Sequence, residues 1–319
     1  MKKTQPEYYG KNLLGFSQIL DTFVYKKNVT VRIPLITHRI WLTDILSPVE
    51  IDQILKIEVL QEMAQSYKLL TESAKQNGLN WTHYAWIQNM TLLPKTVKIF
   101  QDFGVEVKEI YDLEAMKNER KRRQFEYYVQ DLRAISAGTD FLRAITVFEY
   151  GGIYFDNDYS FKYWDYNVNY YFDFFAIYVH YPWPFGVLET NFFAAKKGHI
   201  ALQGYINLMV DGFKFNNESQ ERHFYQNDCS VKTQAVALFG TGPHAFGASV
   251  LYYLNQNGNQ DIIVTQLINL DKYPIQIIDE KGQQGTLILQ TKGRDRFMAT
   301  WKNSMRDLQA FGWHDFTDF

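Results

Sequence analysis

Residues 139–161, TDFLRAITVFEYGGIYFDNDYSF, constrain the fold more than any other stretch of the 319-residue chain. Phe141, Leu142, Ile145 and Phe148 recur at helical spacing, so the stretch begins as a helix with one buried stripe. Gly151 and Gly152 end it, because two residues without a Cβ permit a backbone turn that other residues resist. An apolar strand, residues 153–155, follows and runs into Asp156-Asn157-Asp158. A helix folded back onto such a strand is a unit of an α/β sheet, and open α/β sheets bind ligands at the carboxyl ends of their strands. A side-chain period of two predicts Asp156 and Asp158 on one side and Asn157 on the other. Two hard oxygen donors there suit Mg²⁺ or Mn²⁺, with positions left for water and phosphate. Asp140 and Arg143, three apart, share a helix face, which fits either a carboxylate and guanidinium presented near the metal strand or a surface ion pair.

The flanking sequence supplies the rest of a sheet. Residues 29–41 alternate and are rich in β-branched side chains, predicting one or two strands around Pro34. Ser47 as N-cap, Pro48 at the first helical position and Glu50 in a capping box predict a helix carrying Ile51, Ile54, Leu55, Met63, Tyr67 and Leu70, stopped by Asn77-Gly78. Strands over 81–87 and 105–110 flank a short helix near 95–102, so the order β-α-β-α-β implies parallel pairing with crossover helices. A polar helix near 114–133 carries Lys117, Glu119, Arg120, Lys121, Arg122 and Arg123 as a solvated face, or as a surface for anionic lipid or an acidic partner. Strands over 172–179 and 190–196 then alternate with helices near 199–212 and 244–255. No linker, low-complexity tract or repeat divides the chain, which reads as one α/β domain with an inserted helical portion.

Composition narrows the function classes. Lys+Arg 33 against Asp+Glu 35 leaves a net charge of -2, no field for holding a polyanion, so nucleic acid is not an expected partner. A single Cys229 forms no internal disulfide, no zinc spacing occurs, and a reducing compartment fits. The opening MKKTQPEYYG lacks an apolar core behind its basic residues, and no run of about 18 apolar residues occurs, so neither a cleavable signal nor a membrane span is expected. Sequons at Asn28, Asn89 and Asn217 then read as chance matches. An aromatic content of 17% serves packing first, with stacking faces for sugars or bases as the sharper use. An EF-hand counted from Asp156 fails, since Phe161 and Asn167 fall on its glycine and glutamate positions. Residues 240–245, GTGPHA, with Asp261 about 20 positions on, loosely fit a dinucleotide fingerprint and make an oxidoreductase the rival enzyme class. A retaining glycosidase with paired carboxyls is a further rival. His38 in an apolar strand reads as structural, and His199, His244 and His314 have no recognisable partner spacing.

The segment AGTDFLRAITVFEYGGIYFDND resembles the central pattern of glycosyltransferases carrying the DXD motif. That group includes initiating α-1,6-mannosyltransferases, capsular sugar transferases and the glucosylating domains of large clostridial toxins and bacterial effectors. IPLITHRIW, NFFAAKKGH (191–199) and GTGP (240–243) are similar to three further motifs of the family, in its order, over residues 33–243. The resemblance implies a GT-A fold, a Rossmann-like mixed sheet with flanking helices. Within a single domain over 1–319 it implies a helical extension (1–28), a nucleotide-binding half ending in the DXD motif (29–160) and an acceptor-side portion (161–319). It also implies retaining transfer of a hexose from a nucleotide sugar to a protein or glycan hydroxyl. UDP-glucose or UDP-GlcNAc is the favoured donor, with GDP-mannose or a non-catalytic sugar-binding role as alternatives. By resemblance Asp158 binds Mn²⁺ or Mg²⁺ directly, and Asp156 contacts metal and ribose. Asp140 and Arg143 hold the donor sugar, Tyr154 shapes the pocket, Trp41 with Ile40 binds the nucleobase, and Asn191 lies beside the transferred sugar. The chain departs from the pattern at Thr139, where serine is usual, and at its C-terminal end, where Trp301, Ser304, Trp313 and His314 are out of order. The expected setting is a bacterial cytoplasm, or a host cell entered as an effector without a cleavable signal. Membrane contact is at most peripheral.

Overall fold

A computed structural model of the chain describes residues 24–180, 186–211, 240–265 and 273–295. Cys229, Asn217, His314 and the C-terminal Trp301, Ser304 and Trp313 lie outside them, as does most of the 1–28 extension. Strand β1 (Tyr25–Lys26) precedes β2 (Ile36–Trp41), β3 (Thr82–Ile87), β4 (Glu106–Glu109), β5 (Gly152–Phe155), β6 (Tyr159–Tyr163), β7 (Phe174–His180), β8 (Gly186–Ala195) and β9 (Asp261–Thr265). Seven of these form one sheet in the order β4-β3-β2-β5-β8-β7-β9. The β2–β3, β3–β4, β2–β5 and β7–β9 pairings are parallel, and β8 alone runs against its neighbours β5 and β7. The chain steps from β2 outward to β3 and β4, then returns to the other side of β2 with β5. That reversal makes the carboxyl ends of β2 and β5 the switch point where open α/β sheets bind ligands.

Helices cover both faces, which is why the central strands carry little polar alternation. Helices α1 (Ile57–Gln76) and α2 (Pro94–Asp102) lie on one face with Ile153 and Phe155 of β5. After α3 (Glu119–Glu126), helices α4 (Ile135–Tyr150), α5 (Ile200–Asp211) and α6 (Pro243–Tyr253) pack with Tyr154 on the opposite face. Gly151 and Gly152, at φ 69° and 103°, make the step from α4 into β5. A Cβ on Gly152 would stand 2.3 Å from the Ile36 carbonyl oxygen, and one on Gly151 2.7 Å from the Lys197 amide, so the step excludes side chains sterically as well as conformationally. Two smaller sheets finish the described structure: β1 with β10 (Tyr273–Ile278) and β11 (Gln284–Leu289), and β6 with β12 (Lys292–Asp295).

The structure departs from the sequence expectations in four places. Within 29–41 only Ile36–Trp41 is a strand. The helix expected to start at Ser47-Pro48 starts at Ile51 with Glu50 as N-cap in a capping box with Gln53, breaks at Leu55, and resumes at Ile57. Glu50 is drawn there because its carboxylate accepts from Lys95 N, Thr96 N and Thr96 Oγ1, capping α2 across 45 residues of sequence. The polar segment 114–133 is a short helix, α3 and a π-turn, and Lys117, Glu119, Arg120, Arg122 and Arg123 are exposed as expected of a solvated face. Most important, β5 ends at Phe155, so Asp156 and Asp158 are placed by a turn, closed by Tyr159 N donating to Asp156 O at 3.0 Å, and not by strand alternation. Among the described residues no helix is long and apolar enough to cross a membrane.

Candidate active site

The switch-point edge brings Asp140, Arg143, Tyr154 and Asp156 together. Helix α4 presents Asp140 and Arg143 one turn apart, and both are buried, so they are not a surface pair. Arg143 Nη2 lies 3.4 Å from Asp140 Oδ1 and 3.5 Å from Asp156 Oδ1, while Nη1 donates to the Thr190 carbonyl of β8 at 2.6 Å. Its guanidinium sits 4.8 Å from the centre of the Tyr154 ring. Burial works against the Arg143 charge, but Asp156, Tyr154 and Asp140 outweigh it and hold the group protonated. The Tyr154 hydroxyl donates to Asp156 Oδ1 at 2.5 Å, and burial raises this phenol well above its ordinary range, so it remains a donor.

Asp140 is held on its other oxygen. Thr241 Oγ1 donates to Asp140 Oδ2 at 2.9 Å, and the Thr241 carbonyl accepts from the Tyr205 hydroxyl of α5. Burial pushes the Asp140 carboxyl up to about 6, against the pull of Arg143 and the Thr241 hydroxyl, with Asp156 adding to the rise. The Asp156 carboxyl is raised too, by burial first, opposed by Arg143 and the Tyr154 hydrogen bond, and increased by Asp158.

The turn itself is tied down on three sides. Asp156 N donates to the carbonyl of Asn191 at 2.8 Å, Asn157 Nδ2 donates to the carbonyl of Ile40 at 2.8 Å, and Arg39 donates to the carbonyls of Asp156 and Tyr159. Asn157 thereby ties the turn to β2 across the switch point. Asn191 and Ile40 act here through their main chains. Trp41 ends β2 opposite Ile87, is 8% exposed, donates its indole N–H to Val49 O at 2.9 Å and packs in the core cluster of the α1 face. Asp295 of β12 pairs with Tyr159, so the described chain finishes beside the turn.

The donor set fits a hard divalent cation supplied with outside ligands. Among the described residues, Tyr154 and Arg143 both approach Asp156 at Oδ1. Three carboxylates, Asp140, Asp156 and Asp158, stand with two guanidiniums, Arg39 and Arg143, and one formal negative charge is left over. Among the described residues no three acidic, His or Cys side chains form a ready cage. Mg²⁺-type binding needs only one or two carboxylates, with water and phosphates filling the other positions.

His38 and the acid of the dinucleotide reading are both taken up by other partners. His38 Nδ1 accepts from the Trp86 indole at 3.1 Å and its Nε2 lies 2.8 Å from Gly151 O, a neutral ring that burial holds down to about 4. Asp261, the ribose acid of the dinucleotide reading, begins β9 on the opposite edge of the sheet and is buried against His199 Nε2 at 3.0 Å. That His199 partner, 62 positions away, has no local spacing signal. Sequence reasoning also missed Arg39, Thr190 and Tyr205, each of which meets the site from a distant element; Thr241 sits in the GTGP segment, but nothing local marked its hydroxyl.

Residues 57–167 match the family model described as a glycosyltransferase sugar-binding region containing a DXD motif. The match takes in Asp140, Arg143, Tyr154, Asp156 and Asp158, but not Ile40, Trp41, Asn191 or Thr241. No curated protein matches the chain. Among solved structures, the chain is similar to the PaToxG glycosyltransferase at 14% identity and TM-score 0.48, over 70% of each chain. It is also similar to the UDP-bound glycosyltransferase domain from the YGT toxin at 10% identity and TM-score 0.41, over 74% of this chain and 80% of that one.

Proposed function

From a chain that carries the glycosyltransferase sugar-binding region of the DXD family over residues 57–167, we propose a metal-dependent, retaining hexosyltransferase that uses a UDP-sugar, UDP-glucose or UDP-GlcNAc, and a protein or glycan hydroxyl as acceptor. The carrying observation is the buried Asp140–Arg143–Asp156 network, set at the switch point and closed by Thr241. Asp156 Oδ2 and Asp158 hold Mn²⁺ or Mg²⁺, which when bound offsets the charge that grows on the departing diphosphate. Asp140 accepts from hydroxyls of the donor sugar, and Arg143, fixed by Thr190 O and two carboxylates, sets the carboxylates in place and lends positive charge. Tyr154 keeps Asp156 from turning away. Trp41 and Ile40 at the end of β2 border the nucleobase, and Asn191 borders the transferred sugar. The bond from the anomeric carbon to the phosphate oxygen breaks, the acceptor oxygen bonds to that carbon on the same face, and the acceptor proton passes to the phosphate oxygen. No protein base is required. The single-domain organisation over 1–319 and an effector-type acceptor belong to the same proposal.

Hydrolysis assays over a panel of nucleotide sugars, with and without EDTA, test it. UDP-sugars are turned over, EDTA abolishes turnover, and Asp156→Asn or Asp158→Asn each lowers it at least about a hundredfold, the scale of losing one preorganised electrostatic group. Full activity in excess EDTA overturns the metal role. Proton NMR of the first transfer product reads the stereochemistry: an α-linked donor gives an α-linked product, and a β-linked one overturns the retaining reading.

A further inference from the structure

Arg39 lies within β2, paired with Ala85 of β3, and has no solvent exposure. A guanidinium buried this deeply is costly unless its charge and donors are met. Among the described residues no carboxylate lies within ion-pairing distance of it. Nη1 instead donates to the main-chain carbonyl of Asp156 at 2.8 Å and Nη2 to that of Tyr159 at 2.7 Å. The group lies 4.2 Å from the Phe155 ring centre and 5.4 Å from that of Tyr67 on α1. Its two carbonyl partners belong to the first and last residues of the aspartate turn, the same residues joined by Tyr159 N donating to Asp156 O. A planar fork spans two acceptors at fixed separation, which the single ammonium of lysine does not.

A packing role alone is a poor account, since an apolar side chain of this volume fills the space without a desolvated charge. Burial works against the Arg39 charge, while Tyr67, then Asp158, Tyr154 and Asp156 favour it through space, so both acids of the turn are among its partners. We propose that Arg39 is the positioning residue of the DXD turn, clasping its two ends from the α1 side of the sheet and offsetting the repulsion between Asp156 and Asp158, so that both carboxylates are presented before any cation arrives. The inference rests on the metal reading above for its purpose, and on the hydrogen bonds alone for the clasp.

Hydrogen exchange and Mn²⁺ binding in the presence of UDP test the two parts separately. In the metal-free wild-type protein the Tyr159 amide is already protected, and adding Mn²⁺ with UDP changes its exchange little. In Arg39→Met and Arg39→Lys the same amide exchanges at least about tenfold faster without metal, the scale of one lost charged hydrogen bond. The Mn²⁺ dissociation constant rises about tenfold or more in both, while overall melting shows the variants folded. A Tyr159 amide in wild type that becomes protected only when Mn²⁺ is added overturns the proposal, whether or not the variants fold. Folded variants with wild-type exchange and wild-type Mn²⁺ affinity also overturn it. If wild type binds no Mn²⁺ with UDP, the metal reading falls, and the metal-free exchange of Tyr159 still decides the clasp.

Discussion

Asp140 sits between two demands. Burial raises its carboxyl to about 6, yet the part proposed for it, holding sugar hydroxyls, belongs to the ionised form. Turnover should therefore climb with pH through an apparent pKa near 6, and Asp140→Asn should remove that limb along with most activity; a flat profile in wild type below pH 6 counts against the assignment. Stability runs the other way. The folded-state value lies above the unfolded 3.8, so between about pH 4 and 6 the native state binds the extra proton and stability falls as pH rises through that window. Urea midpoints of wild type and Asp140→Asn, compared at pH 4 and 7, should differ in this sense. Trp41 is a second test. The indole is buried and bonded to Val49 O, so Trp41→Ala should cost about 3–5 kcal/mol of stability and is a poor probe of stacking. Trp41→Leu retains more volume; a base stack is worth about 1–3 kcal/mol, so its UDP dissociation constant should rise about tenfold. Unchanged affinity in the folded variant would show that Trp41 is core only. Asp140 and Arg143 were legible as a pair because helical spacing is a local property. Arg39 and Tyr205 were not, since hydrogen bonds spanning 117 and 36 positions leave no local trace.

At the scale of elements, the joint between α4 and β5 decides whether the site exists. Gly152 has positive φ and faces the Ile36 carbonyl, so Gly152→Ala adds a conformational penalty to a main-chain collision. The loss should exceed about 2 kcal/mol in urea unfolding, whereas Gly198→Asn, at φ 70° with open space around it, should cost little. The double glycine and the strand after it were plain in the sequence. The turn at Asp156 was not, because a period of two gives no notice of where a strand stops. The start of the first long helix was misplaced for a different reason. Ser47, Pro48 and Glu50 form a sound local signal, and the amino end of α2 overrides it by taking the Glu50 carboxylate.

Across the whole molecule the two edges of the main sheet do different work. The carboxyl edge holds Asp140, Arg143 and the aspartate turn. The amino edge is a set of pins: Asp173, ahead of β7, pairs with Arg32 at 2.8 Å and Lys196 at 3.2 Å and accepts from Gln260 N, while His199 and Asp261 bind each other nearby. Asp173→Ala should cost about 3 kcal/mol with UDP affinity unchanged, and a matching loss of affinity would show that the edges are coupled. The layered fold could be read from the helix and strand periods, but the division of labour between edges could not, since it depends on which distant residues meet at each end of a strand.

The hydroxyl that Thr241 offers to Asp140 has a bearing on synthesis. A ribosome making this chain completes the region matched by the family model long before it adds residue 241. Until then Asp140 Oδ2 lacks its donor, and the Tyr205 hydroxyl lacks the carbonyl that accepts from it. A fragment ending at residue 167 would carry every acid of the DXD segment and still lack the Asn191 and Thr190 carbonyls that fix Asp156 and Arg143. On the function proposed above, a chain stopped before Thr241 should therefore show no turnover, although it already carries the whole family match.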